Sequence, residues 1–457
     1  MSEVLLPVNY AFIATLICLV NPTLIVISDF CLADVPYALM VSLFFLCSQL
    51  KGRRLPAVLA ALLAIAAYTM RTAGLALLAA WVAESLCNRK LKQALARFVL
   101  ALLPVLGWQF YIYRSEAGSA YTHPTYAYQR ADYMYYNVSY ARNISLVDPF
   151  VPEKGHLKPF SFARRYVDNL TRMPKILGES VSARLDFWWL PFVSLNPHGL
   201  SARVLSWFIF LVPMCLGVLI FGGICLQLIR RQWLVSFFTL FSLVMICSTP
   251  FADMFTRYMI PLTPYVALAL FVMLIRIKDQ FGKKLWRKGL ILSSSLIALV
   301  VCLCLLQSPF SLWELYTKYH QLVSYHDRRR VMTEYRLFYY DDACRALDAG
   351  IDWLKLSAKP GEVIAASMPH WVHLRTGLKT VMPPFEPDPG KMQNLLRSVP
   401  VTYVILDETL HKKPADTTQY VRPAIRRAPD GWRLIYSDPE GGCEIHRRVS
   451  EKGEGYP

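Results

Sequence analysis

Apolar runs long enough to cross about 30 Å of hydrocarbon recur along this chain, and nothing else in it constrains the fold as strongly. They fall near 8–28, 35–50, 204–229, 233–249, 258–276 and 289–309, and a further run ends near Tyr113. The stretch 55–87 is interrupted by YTMRTAG and reads as two short helices meeting at Arg71–Gly74, which brings the expected number of spans to about nine. Composition agrees: 457 residues that are 55% hydrophobic and 18% charged, with a mean hydropathy of +0.33, are too apolar for a soluble protein of this size. The expected fold is mainly α, a polytopic membrane helical bundle over residues 1–310, followed by an extramembrane α/β domain over 311–457.

The positive-inside rule tests this count, because short cytoplasmic loops collect Lys and Arg. Nine alternating spans with Met1 inside place KGRR (51–54), NRKLKQALAR (88–97), RR (230–231) and RIKDQFGKKLWRK (276–288) on one side. These hold about fifteen basic residues, against only Arg71 and Arg257 in the short loops opposite. The same parity puts a large loop at about 114–203, and everything after about 310, outside. Topology thus accounts for much of the net charge of +17, and no nucleic-acid partner is needed to explain it. No basic n-region followed by a small-residue cleavage site precedes residue 8, so the first span is read as retained.

Of eleven cysteines, nine fall in or beside spans and read as small apolar packing residues; Cys344 and Cys443 lie in the outer tail, where an oxidising compartment would allow a disulfide. There is no CxxC, no His/Cys cluster with zinc spacing and no GxxxxGK[ST] phosphate loop, and no metal is expected. His370 and His373 in PHWVH lack a third ligand nearby. Asn137, Asn143 and Asn169 head Asn-x-Ser/Thr triplets that matter only in a host that glycosylates asparagine.

The charged residues at the outer mouths of the spans carry the functional signal. Ionisable groups at membrane depth cost about 2.5–3.5 kcal/mol each on insertion scales, so they usually serve a pathway or a site. Arg71, Asp253, Arg257 and Tyr258 share that face with Asp29 and Asp34 of SDFCLADVPY. Guanidinium groups match phosphate bidentately, so an anionic headgroup at the membrane surface gives the two arginines a reason. Carboxylates beside them would activate a hydroxyl or position a metal. Plainer readings stand alongside. Arginines snorkel, Asp29 and Asp34 suit helix N-caps, and Asp253 with Arg257 has the spacing of a local ion pair.

The succession NPTLIVISDFCLADVPYALMVSLFFL, AAYTMRTAGLALLAAWV and RYMIPLTPYVALALFVMLI, followed by a mixed α/β tail, resembles the GT-C glycosyltransferases. It looks closest to the family of protein O-mannosyltransferases and aminoarabinose and RgtA-like lipopolysaccharide transferases, over about residues 10–310. The resemblance implies a polyprenyl-phosphate-linked sugar as donor, no further cofactor, and transfer to an envelope lipid, glycan or protein at the outer face. It implies a bacterial inner-membrane protein with a periplasmic tail. By it, Arg71 and Arg257 neutralise the donor phosphate as it leaves, and Tyr258 hydrogen-bonds the phosphate or sugar. Asp34, after the Asn21-Pro22 helix, and Asp253 bind sugar or acceptor. The family's catalytic aspartate sits in a first external loop, whereas Met1 here stands at the family's third or fourth span. The base is therefore unassigned, with Asp29 and Asp34 as the substitutes in reach. The alternative is a non-catalytic protein of the same fold that binds a lipid-linked sugar or scaffolds a partner.

In the outer loop, YTHPTYAYQRADYMYYNVSY (121–140) is dense in Tyr, which suits both sugar stacking and the membrane interface. Apolar residues at Phe162, Tyr166, Leu170, Met173, Leu177, Val181 and Leu185 predict an amphipathic helix lying on the membrane and kinked at Pro174. In the tail, HDRRRVMTEYR (326–336) reads as a charged connector. A helix over 341–358, strands at 362–367 and 401–408, and a helix at GKMQNLLRS between them predict a small α/β domain with a parallel strand pair.

Overall fold

The structure, a computed structural model, describes residues 6–29, 33–50, 54–123, 144–149, 154–182, 200–318, 321–326, 331–337, 342–383, 386–399, 401–409 and 417–449. It is mainly helical with a small sheet domain, and it divides into two compact units: Met1–Arg114 with Ser161–Lys318, and Ser115–Phe160 with Tyr319–Pro457. The segment 114–203, read from sequence as one loop, is thus shared between the units.

In the first unit, α1 (Val8–Leu19) stops before Asn21-Pro22, because proline offers no N–H to continue the ladder but is tolerated in a first turn. Pro22 opens α2 (Pro22–Asp29), and the Asn21 side-chain oxygen accepts from the N–H groups of Thr23 at 2.9 Å and Leu24 at 3.2 Å. The two axes bend by 50°. Then follow α3 (Asp34–Gln49), α4 (Arg54–Met70), α5 (Gly74–Cys87), α6 (Leu91–Glu116), α7 (Pro159–Val181), α8 (Leu200–Ile229), α9 (Trp233–Ser248), the short α10 (Phe255–Tyr258) and α11 (Thr263–Lys318). Helix α3 packs on α4, α5 on α9, and α11 on both α1 and α8. An aromatic cluster fills the middle: Phe45 lies 4.5 Å from Tyr265 and 5.6 Å from Phe238, and Phe44 meets Trp81 edge-on at 6.1 Å.

Among the described residues, three stretches, Leu91–Glu116, Phe210–Ile229 and Phe255–Phe281, are helices long and apolar enough to cross a membrane, and the bent pair α1–α2 would make a fourth. The remaining apolar runs form shorter helices, among them Asp34–Gln49, Arg54–Met70, Gly74–Cys87, Trp233–Ser248 and Ile291–Leu305. One sequence expectation needs correcting: 276–288, read as a loop between spans, is helical throughout, inside α11. That segment has no proline, and six of its thirteen residues are Lys or Arg, both strong helix formers, so charge there marks polarity rather than a break.

Helix α7 forms where the apolar spacing predicts, but it ends at Val181 and runs on through Pro174. Met173, Leu177 and Val181 are buried, whereas Leu170 is 44% exposed; Leu185 lies outside the described residues. It crosses α8 with backbones in contact, in a reciprocal arrangement. A Cβ on Gly178 would strike the Pro213 carbonyl, and one on Gly217 would strike the Pro174 carbonyl.

The second unit holds an antiparallel pair, β1 (Gln321–His326) with β2 (Met332–Leu337), and a five-stranded mixed sheet. Strand β2 lies in what reads from sequence as a charged connector. Its alternation MTEYRL is hidden by its charges, and among the described residues its ladder partner is β1. Helix α12 (Asp342–Ser357) buries Ala343, Ala346, Leu347, Gly350, Ile351 and Leu354, a single stripe at helical spacing. Strand β3 (Val363–Ala365), α13 (Pro369–Thr376), β4 (Lys379–Val381), α14 (Pro389–Ser398), β5 (Val401–Leu406), α15 (Arg422–Arg427) and the hairpin β6 (Trp432–Asp438) and β7 (Cys443–Arg448) complete it, in spatial order β4-β3-β5-β7-β6. The pair β3 and β5 is parallel, as the strand–helix–strand reading requires, and sequence reading missed α13 and β4 between them. Cys344 and Cys443 carry thiols and form no disulfide with each other; a buried cysteine at the start of β7 packs as a small apolar residue.

Candidate functional site

Arg71 stands in the turn between α4 and α5. Its N–H donates to the Ala67 carbonyl at 3.0 Å, and its own carbonyl accepts from Gly74 N–H at 2.8 Å. A Cβ on Gly74 would lie 2.5 Å from the Tyr68 backbone, so glycine is what lets the chain double back this closely. The YTMRTAG interruption of an apolar run is therefore a tight turn that presents one arginine.

Asp34 is the first residue of α3, after an N-cap position, Ala33, that makes no side-chain cap bond. The Asp34 carboxylate pairs with the Arg71 guanidinium and accepts from Arg257 Nε at 2.9 Å, across 223 residues of sequence. Arg257 sits in α10, a single turn between two tight 3-10 turns, next to Tyr258. The Arg71 guanidinium lies over the Tyr258 ring, 5.4 Å from its centroid. Four of the residues singled out from sequence, Asp34, Arg71, Arg257 and Tyr258, thus meet at one place. Asp253 lies in the turn just before α10, and Asp29 is the last residue of α2; the side chains of both lie outside the described residues.

Burial orders the cluster. Asp34 is 0% exposed, Arg71 19% and Arg257 31%, so the guanidiniums stand between the carboxylate and the surroundings. A carboxylate buried alone would cost several kcal/mol, and here two guanidiniums and the N-terminus of α3 offset that cost. The arrangement orients two permanently charged, bidentate donors around an internal anchor, which suits them to hold an oxyanion. In this geometry Asp34 touches arginines rather than solvent.

Other candidates fall elsewhere. Asn169 is buried in α7, where its side-chain N–H groups donate to the carbonyls of Cys247 at 2.9 Å and Thr249 at 3.1 Å. The folded chain therefore does not present that triplet for glycosylation. Asn137, Asn143 and most of the Tyr-rich stretch lie outside the described residues. His370 and His373 are exposed on α13, and His373 Nδ1 lies 2.7 Å from the Leu378 carbonyl. Among the described residues, no group of three or more His, Cys, Asp or Glu is placed to hold a metal. Sequence reasoning missed the bond from Asp34 to Arg257, since no local spacing reports a contact 223 residues apart. It also missed the role of Asn169, for which burial inside an amphipathic stripe was the available signal.

Fold and site together define a class: a mainly helical protein with helices long and apolar enough to cross a membrane, a separate α/β unit, and an arginine pair anchored on a buried aspartate. No protein-family model and no curated protein matches the chain.

Proposed function

We propose that the chain is an integral-membrane glycosyltransferase of the GT-C type, with about nine spans and its α/β unit on the outer, periplasmic side of a bacterial inner membrane. It moves a sugar from a polyprenyl-phosphate carrier to an envelope lipid, glycan or protein. The observation that carries this reading is the convergence of Arg71 and Arg257 on Asp34, with Tyr258 under Arg71, at loops that charge counting puts outside. Two fixed guanidiniums stabilise the negative charge that develops on a phosphate leaving group. Arg71 and Arg257 hold the phosphate, Tyr258 contacts phosphate or sugar, and Asp253 and Asp29 are the acids nearest in sequence for sugar, acceptor or base.

A second reading, a non-catalytic binder of a lipid-linked sugar, is favoured by the state of Asp34, whose carboxylate is buried and engaged by both arginines and so is not placed to deprotonate an acceptor. Purified protein in nanodiscs separates the readings. Wild type should bind a polyprenyl-phosphate-linked hexose at least tenfold more tightly than Arg71→Ala or Arg257→Ala, with membrane insertion unchanged. Release of polyprenyl phosphate in the presence of envelope lipids then marks an enzyme, and binding without release a binder. Equal affinity of wild type and both variants would sink the phosphate-site reading.

A further inference from the structure

Of the three pieces of chain that carry the cationic cluster, helix α7 is tied to two, the one leading to Asp34 and the one leading to Arg257, each through a buried asparagine. At one end, Asn21 donates to the carbonyls of Ser180 at 2.8 Å, in the last turn of α7, and Ser182 at 3.3 Å, just past it, while its oxygen caps α2, the helix leading to Asp34. Further along, Asn169 donates to the carbonyls of Cys247 and Thr249, which end α9 and begin the irregular run to Arg257. Arg165, one turn before Asn169, adds a bond from its guanidinium to the Ser248 carbonyl at 3.4 Å. Asn21 and Asn169 are 2% and 4% exposed, where losing the donor breaks two buried hydrogen bonds at once.

From 249 to 262 the chain has no long helix to stiffen it, only short turns. Its position therefore depends on the packing of Phe255, Met259, Ile260 and Leu262, all buried, and on what grips its start. The Gly178–Pro213 and Gly217–Pro174 contacts seat α7 against α8, so the strap has a fixed base.

We infer that α7 is a positioning strap for the anion site, in which Asn169 sets where Arg257 meets Asp34 and the ligand phosphate, and Asn21 does the same for the Asp34 side. This rests on the phosphate-site reading for its consequence, but not for its mechanics. Asn169→Asp keeps the shape and removes the donors, while Asn169→Gln retains them.

Two measurements on the full chain in nanodiscs test it. The first is hydrogen–deuterium exchange without ligand. Asn169→Asp should raise exchange at least tenfold in peptides covering 249–262, with Asn169→Gln closer to wild type and peptides of the second unit unchanged. Unaltered exchange at 249–262 overturns the inference whatever the ligand result. The second is affinity for farnesyl phosphate. Asn169→Asp and Arg257→Ala should each weaken binding about tenfold, and the double variant should be no weaker than Arg257→Ala, because both act through one group. Independent, multiplying losses would make Asn169 a stabilising residue only and overturn the positioning role. If wild type and Arg257→Ala bind farnesyl phosphate alike, the phosphate reading fails, and the exchange result alone decides the strap.

Discussion

Asp34, Arg71 and Arg257 show how far single residues can be read without a structure. Each arginine was conspicuous because it broke the charge bias of its side of the membrane, and Tyr258 because it adjoined one of them. Their shared dependence on Asp34 was not visible, since a carboxylate at the start of a helix looks the same whether it caps that helix or serves another. In the second unit a single residue gives a pH test. Burial first, and then the nearby Asp407, Asp438 and Glu444, push the Cys443 thiol up from its ordinary 9.0 to about 12. Between those values the unfolded chain gives up a proton that the folded chain keeps, so stability falls as pH rises through this window. At pH 10.5 the loss amounts to roughly 2 kcal/mol at most. Proteolysis of the tail in urea should speed up between pH 8 and pH 10.5, and less so in Cys443→Ala. Tyr403 and Tyr436, also raised chiefly by burial, act in the same direction and leave a remainder.

Among the elements, hydropathy located the helices of the first unit because a helix in an apolar setting satisfies its own backbone, so the information is local. Strands of three residues such as β4, or charged ones such as β2, carry too little local signal and exist by virtue of their partners. How the helices cross is likewise not local. Gly217 in α8 and Gly107 in α6 look alike in sequence, yet a Cβ on Gly217 would meet the Pro174 carbonyl while one on Gly107 meets nothing within 4 Å. Glycine to alanine at an open helical site gains about 1 kcal/mol, whereas overpacking costs about 1–3 kcal/mol. Gly107→Ala should therefore raise the melting temperature in detergent, and Gly217→Ala should lower it. Equal shifts would mean that α7 and α8 do not cross this closely.

For the whole molecule, the proposed arrangement of spans rests on counting Lys and Arg, and it is open to a direct check. Alkaline phosphatase fused after Arg97 or Arg231 should be inactive and a green fluorescent protein there bright, with the opposite pattern after Thr122. A phosphatase active at Arg231 would reverse the parity on which the outer face of Arg71 and Arg257 depends. That helices here are long and apolar enough to cross a membrane follows from composition and run length, quantities that each segment carries in its own side chains. The spacing along the chain likewise carried the amphipathic stripe of α7 and the unusual placement of two arginines, and the order strand, helix, strand carried the parallel sense of β3 and β5. The meeting of Asp34 with Arg71 and Arg257, and the grip of Asn21 and Asn169 on distant carbonyls, belong to packing. A contact between residues 223 positions apart is chosen by which helix faces interdigitate, and that choice is made by shape and burial across the assembled bundle rather than by any spacing along the chain.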